Sequence, residues 1–171
     1  MNLEIIVLRL IHIVGGIFWV GSTVSITLFV VPALTTSGVN AGQVFAALQR
    51  RRFFTILPLV AVLTIASGLR LIWIASGGFS HQYFATGTGR TFGLAGSAAI
   101  VAFLLGIFVA RPAAARSGKL TGSLASAPEE QRARITSEVA TLRRRGAVAT
   151  AVAVSLLVLS AAGMAIARYV A

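Results

Sequence analysis

Four long apolar stretches, separated by segments that carry the positive charge, constrain the fold of this chain more than any other feature. A helix needs about 20 apolar residues to cross a hydrocarbon core of roughly 30 Å, and each stretch has about that length. The stretches are Leu10 to Val31, Phe53 to about Ile74, the run between Arg90 and Arg111, and the run between Arg145 and Arg168. Only 11% of the residues are charged, whereas soluble domains carry roughly 25%. The sequence therefore excludes an ordinary soluble globular protein.

The expected architecture is a single all-α integral membrane domain over residues 1–171. We predict an antiparallel bundle of four transmembrane helices, with an amphipathic cytoplasmic helix before the fourth span. The spans are expected at about 3–32, 53–76, 91–110 and 146–168, with an outer loop at 77–90 and cytoplasmic loops at 35–52 and 111–145. The first apolar stretch is too long for the core of a signal peptide, so we interpret it as a retained helix. The lipid bilayer is the partner that this composition requires.

Basic residues predict the orientation of these spans. They stand at Arg50, Arg51 and Arg52 in the first connection, and at Arg111, Arg116, Lys119, Arg132, Arg134, Arg143, Arg144 and Arg145 in the third. Because lysine and arginine are retained in the cytoplasm, both connections are predicted to be cytoplasmic and both termini periplasmic or extracellular, in a bacterial inner membrane. The same placement accounts for the net charge of +11 without a nucleic-acid partner.

The long third connection contains signals for a helix of its own. Ser126-Ala-Pro-Glu129 has the pattern of a capping box with proline just inside a helix. Apolar residues then recur at helical spacing, at Ile135, Val139 and Leu142. This amphipathic segment either runs into the fourth span or breaks at Gly146. The Ala, Gly and Ser composition of residues 112–125 predicts the most mobile part of the chain.

Imidazole chemistry in this chain is limited to two histidines. The predicted topology places His12 about one turn inside the outer end of span one, His81 in the outer loop and Met164 near the outer end of span four. Two imidazoles and a thioether suit copper, and a histidine pair suits haem b. The simpler interpretations are a hydrogen-bonded His12, a solvated His81 and an apolar filler at Met164.

Two arginines and a tryptophan belong to the same candidate cofactor site. Arg9 shares a helical face with His12, and Arg70 is expected at a similar depth on the second span. Both can bind an anion such as a haem propionate, or simply extend to the headgroups, and Glu4 is an ion partner within reach of either. Trp19 shares the histidine face and lies too deep for an interfacial aromatic belt.

The sequence carries no pattern of a known hydrolase or transferase site. It contains neither cysteine nor aspartate, and it has no glycine-rich phosphate loop, so no catalytic residue is assigned. Small residues do form faces, around Gly15 and Gly16 in span one and at Gly89, Gly93 and Ser97 in span three. In membranes such faces mark contact between helices, within one chain or with a partner.

Span one and its sequel resemble the four-helix membrane domains of the copper-resistance D (CopD)-like superfamily and allied bacterial families. The resemblance rests on Leu10-Ile-His12-Ile-Val-Gly-Gly16-Ile-Phe-Trp19-Val-Gly21, on Val30-Val-Pro32-Ala-Leu34, on the basic Arg50 to Arg52, and on Ser67-Gly68. It covers about the first half of the chain. It implies a bacterial inner-membrane protein whose His12 binds copper or haem near the outer face.

The leading hypothesis is a non-enzymatic membrane protein with a copper or haem b site centred on His12. The residues assigned to this site are His12, Arg9, Arg70 and Trp19 for a cofactor, and His12, His81 and Met164 for a metal. The alternative is a structural or assembly subunit without a cofactor, which docks on a membrane partner or on a second copy of itself. Redox catalysis at a haem is a third hypothesis and requires an electron partner.

Overall fold

The computed structural model describes residues 2–170, which form helices and turns and no strand. In chain order the helices are α1 (Leu3–Thr36), α2 (Ala41–Arg50), α3 (Phe53–Ser76), α4 (His81–Ala85), α5 (Gly87–Ser123) and α6 (Glu129–Ile166), the last followed by a 3-10 turn at Ala167–Tyr169. Four of them, α1, α3, α5 and α6, are long and apolar enough to cross a membrane. This confirms the prediction of an all-helical fold with four helices able to span a membrane.

Helices α5 and α6 extend well beyond the apolar stretches that define their spans. Residues Arg111–Ser123, where composition predicts mobility, are helical, and α6 passes Gly146 without a break. The two extensions pack on each other. A Cβ at Gly146 of α6 would lie 3.5 Å from the Cβ of Ala113 in α5, and Val139 of α6 is buried. An ion pair between Arg116 and Glu138 also joins them. Tertiary packing thus makes this segment helical.

Helix α6 begins close to the predicted position, but the capping box is not formed. The Ser126 hydroxyl donates to the carbonyl of Ser123 at 3.2 Å and does not cap the new helix. Pro128 takes the N-cap position with an extended ψ of 146°, and its carbonyl accepts the Gln131 amide at 2.9 Å. The predicted capping box is wrong because Pro128 occupies the N-cap position and not the first helical position.

Two π-helical turns precede prolines at the same spacing in α1 and α5. They span Ile26–Val30 and Gly106–Ala110. In each, the last amide before the proline reaches back five residues, from Val31 to Ile26 and from Arg111 to Gly106. Proline lacks an amide hydrogen and crowds the carbonyl four residues back, so one extra residue per turn lets the helix continue past it.

The interior is narrow and centres on Trp19, which is 6% exposed. Its ring meets Phe103 edge to face at a centroid distance of 6.2 Å, and Leu157 packs into the same cluster. Many large apolar side chains are exposed on the outside of the helices, with Leu94 at 74% exposure. Such an outer surface suits lipid, since acyl chains solvate it as well as protein would.

The contact between α1 and α3 depends on a glycine. A Cβ at Gly15 would lie 2.5 Å from the Thr64 hydroxyl oxygen, which is buried and donates to the carbonyl of Val60 at 2.8 Å. Gly21, in the same helix, has no such neighbour within 4 Å. Gly15 is therefore required for close packing, and Gly21 is not.

We expect Gly15→Ala to destabilise the protein by about 1–3 kcal/mol, because the added methyl group overpacks a side chain that cannot move aside. Gly21→Ala is the matched control and should be neutral or stabilising by up to about 1 kcal/mol. Thermal unfolding in mild detergent measures the difference. Equal melting temperatures for the two variants would contradict the close contact.

Candidate functional site

A large cavity opens between α1, α3, α5 and α6 at the end of the bundle that carries the connection 77–86. Its volume is about 930 Å³, near the upper limit of roughly 1,000 Å³ for small-molecule sites. The walls are mostly apolar, and Phe79, Tyr83 and Phe84 of the connection line the same end. An apolar cavity with few polar groups is the usual form of a ligand site.

His12 stands on the cavity wall with its ring fixed by α3. Its Nδ1 lies 2.7 Å from the backbone carbonyl oxygen of Thr64. A carbonyl can only accept, so Nδ1 carries the proton and donates. In the neutral ring Nε2 then keeps its lone pair. A ligating histidine typically donates its other ring N–H to a carbonyl or carboxylate in this way.

Gly68 gives the imidazole its space. A Cβ at this position would lie 2.6 Å from Cε1 and 2.9 Å from Nδ1 of His12. The carbonyl of Thr64, one turn earlier, also accepts the Ser67 hydroxyl at 3.0 Å. The histidine reaches this carbonyl because no side chain stands at residue 68.

Positive charge borders the same cavity. Arg9 and Arg168 are among its lining residues, and neither forms an ion pair within residues 2–170. The guanidinium of Arg168 lies 5.8 Å from the ring centroid of Tyr169. Two guanidinium groups that no carboxylate of the described residues neutralises make the cavity attractive to an anion.

Four of the predicted site residues come together here. Arg9, His12, Trp19 and Met164 all line the cavity. Trp19 is buried in the core cluster, and the Met164 methyl lies 4.0 Å from the position of a Cβ on Gly96, itself a lining residue. The shared helical face of the first span therefore points into the cavity.

Two predicted site residues lie elsewhere. Arg70 is absent from the cavity lining, and its Nε and Nη2 each bind Glu4 Oε1 at 2.8 Å. His81 is the exposed first residue of α4 and does not line the cavity either. Residues 2–170 contain no group of three or more His, Cys, Asp or Glu side chains that could hold a metal ion.

Sequence reasoning missed Arg168 and the aromatic residues of the connection. Arg168 follows Met164 by four residues, a spacing that puts both on one helical face, so the signal was present in the sequence. Tyr83 and Phe84 reach the cavity through the short helix α4, which Ser80 caps by accepting the Tyr83 amide at 3.4 Å. A five-residue helix has too little periodicity to be predicted.

Comparisons with protein-family models, with curated proteins and with solved structures return no match. The geometry of the cavity and its lining residues is therefore the basis for inferring function.

The neutral ring of His12 should carry its proton on Nδ1, because that nitrogen donates to Thr64. Nitrogen-15 NMR of histidine-labelled protein distinguishes the two tautomers, and a His81→Ala variant assigns the signals. Gly68→Ala should abolish the Nδ1 signature by displacing the ring, whereas Gly21→Ala should retain it. A proton on Nε2 in the unsubstituted protein would refute the assignment.

Proposed function

We propose that this chain is an integral membrane protein, similar to the CopD-like proteins, whose cavity binds haem b through His12. The observation that carries the proposal is the hydrogen bond from Nδ1 to the Thr64 carbonyl, which leaves Nε2 as a coordinating atom. That atom belongs to a ring on the wall of a large apolar cavity. We propose a binding protein and assign no catalytic residue.

The donor set supports haem over a bare copper ion. Copper is held by a compact set of nitrogen and sulfur ligands, and this cavity offers one imidazole and one thioether, His12 and Met164. Haem requires only one or two axial ligands from the protein, because the porphyrin supplies the others. His81, which a copper site would recruit, does not line the cavity.

The remaining lining residues also fit haem. Arg9 and Arg168 can bind carboxylates such as the propionates, since guanidinium groups bind them through paired hydrogen bonds. Apolar walls, including Trp19, would exclude water from the macrocycle. When bound, haem would supply one-electron chemistry at its iron.

The proposed setting is a bacterial inner membrane with an antiparallel four-helix bundle. Two contacts between α1 and α3 support the antiparallel arrangement. Glu4 pairs with Arg70, and His12, further along α1, pairs with Thr64, which comes earlier in α3. The arginine-rich ends of the helices would face the cytoplasm by the positive-inside rule, together with the first part of α6. The cavity and both termini would then lie on the outer side.

The second candidate function is a purely structural or assembly role. The glycines of this chain favour haem binding over that role, because they pack against residues of the same chain. Gly15 accommodates Thr64 of the same chain, and Gly163 would place a Cβ 3.0 Å from that of Ala95. A Cβ at Gly93 would lie 3.3 Å from Cε1 of the Phe84 ring. Packing within the chain thus occupies these faces, which a docking role would need for a partner.

The protein purified in mild detergent and supplied with haem should show a Soret band, and His12→Ala should abolish it because the coordinating atom is lost. Arg168→Gln should weaken haem binding about tenfold to a hundredfold, the value of a charge-assisted hydrogen bond to a propionate. His81→Ala and Arg70→Gln are matched controls outside the cavity lining and should bind haem normally.

Absorption titrations measure these affinities. If His12→Ala retains the band, or if the controls lose it equally, the haem site is not the one proposed. If neither haem nor copper raises the melting temperature of the protein, the binding function itself is wrong and the assembly role is preferred.

The proposed orientation is testable because the chain has no cysteine. Single cysteines at Gln82 and at Ser123, both exposed, should react with a membrane-impermeant thiol reagent from opposite sides. We expect Gln82 to react from outside in intact cells and Ser123 only after the membrane is opened. Reaction of both from the same side would overturn the topology.

A further inference from the structure

A second groove lies between α5 and α6, toward the opposite end of the bundle from the His12 cavity. It measures about 460 Å³ and is lined by Leu105, Val109, Thr141, Arg144, Arg145, Val148, Ala149 and Val152. Apart from Thr141 and the two arginines, its lining is apolar. The groove shares no lining residue with the His12 cavity.

The polar and apolar parts of this groove are separated along α6. Thr141, Arg144 and Arg145 come first, and Val148, Ala149 and Val152 follow within the apolar stretch of the fourth span. If α6 spans the membrane from about residue 146, the arginines would lie at the level of the lipid headgroups and the valines at the level of the acyl chains.

Arg144 and Arg145 form no ion pair with a carboxylate of the described residues. Among residues 2–170 the ion pairs are Glu4 with Arg70, Glu138 with Arg116, and Glu129 with Arg132. The neighbouring Arg143 is turned toward α5 and lies 3.4 Å from the Thr121 hydroxyl. Arg144 and Arg145 thus present unneutralised positive charge at one end of an apolar groove.

We propose that this groove binds an anionic phospholipid, with its phosphate on Arg144 and Arg145 and an acyl chain along the valines. The charge selects an anionic headgroup, and basic pockets between transmembrane helices are known to bind such headgroups. The apolar part selects a long acyl chain, which distinguishes a lipid from a free phosphate ion.

Native mass spectrometry of the full chain in mild detergent tests the headgroup contact, with dioleoyl phosphatidylglycerol and dioleoyl phosphatidylcholine as probes. We expect the anionic phosphatidylglycerol to bind more tightly than the zwitterionic phosphatidylcholine. Arg144→Gln combined with Arg145→Gln should weaken it about thirty-fold, given the attraction of two arginines to an anionic surface. Arg50→Gln combined with Arg51→Gln removes the same charge from the other arginine triplet and should change affinity little.

The acyl contact is tested with a variant that fills the groove. Val148 is 57% exposed and Val158, outside the groove on the same helix, is 48% exposed. Val148→Trp should lower the affinity for dioleoyl phosphatidylglycerol about tenfold. It should leave the affinity for dihexanoyl phosphatidylglycerol unchanged, because that lipid has the same headgroup but short acyl chains. Val158→Trp should alter neither.

Three results would overturn the proposal. The first is equal loss of affinity in both pairs of arginine variants, which indicates general attraction by positive charge. The second is displacement of the long-chain lipid by millimolar inorganic phosphate, which indicates an anion site only. The third is an equal effect of Val148→Trp and Val158→Trp.

Discussion

The approach of α1 to α3 at Gly15 and Gly68 is the contact on which the proposed function depends. A helical carbonyl oxygen accepts the amide four residues later and keeps a second lone pair, which side chains on the same helix normally shield from other donors. At Thr64 the carbonyl is open to a third donor because residue 68 has no side chain. The resulting bond with His12 fixes the tautomer and orientation of the ring. Helix packing and the chemistry of the imidazole are therefore set by the same pair of glycines.

Apolar length was enough to predict the four spans, because a helix that crosses lipid must be long and continuous whatever packs beside it. The extension of α5 over Arg111–Ser123 could not be predicted in that way. Its Ala, Gly and Ser residues have no strong periodicity, and the helix depends on contact with α6 at Gly146. Long-range packing of this kind leaves no local signal in the sequence.

The sequence was enough to group residues that share one helix, as Arg9, His12 and Trp19 do in α1, and all three line the cavity. Depth along a helix was not enough to place Arg70 relative to the cavity. Arg70 lies one helix away at the expected level, yet Glu4 binds it outside the cavity lining. Depth along a helix is readable from sequence, whereas the direction in which a residue points across a bundle requires knowledge of how the helices are rotated.

The four acidic residues of the chain explain where its positive charge is available. Three of them are bound to arginines, at Arg70, Arg116 and Arg132. Arg9 and Arg168 border the cavity, and Arg144 and Arg145 border the groove. Within residues 2–170 none of these four arginines forms an ion pair with a carboxylate. Residues 145 and 168 are separated by roughly 35 Å along α6 and the 3-10 turn that follows it, at a helical rise of about 1.5 Å per residue. The two proposed sites would therefore attract anions independently, because each end of the bundle would be screened by its own aqueous phase over about 8 Å at physiological salt.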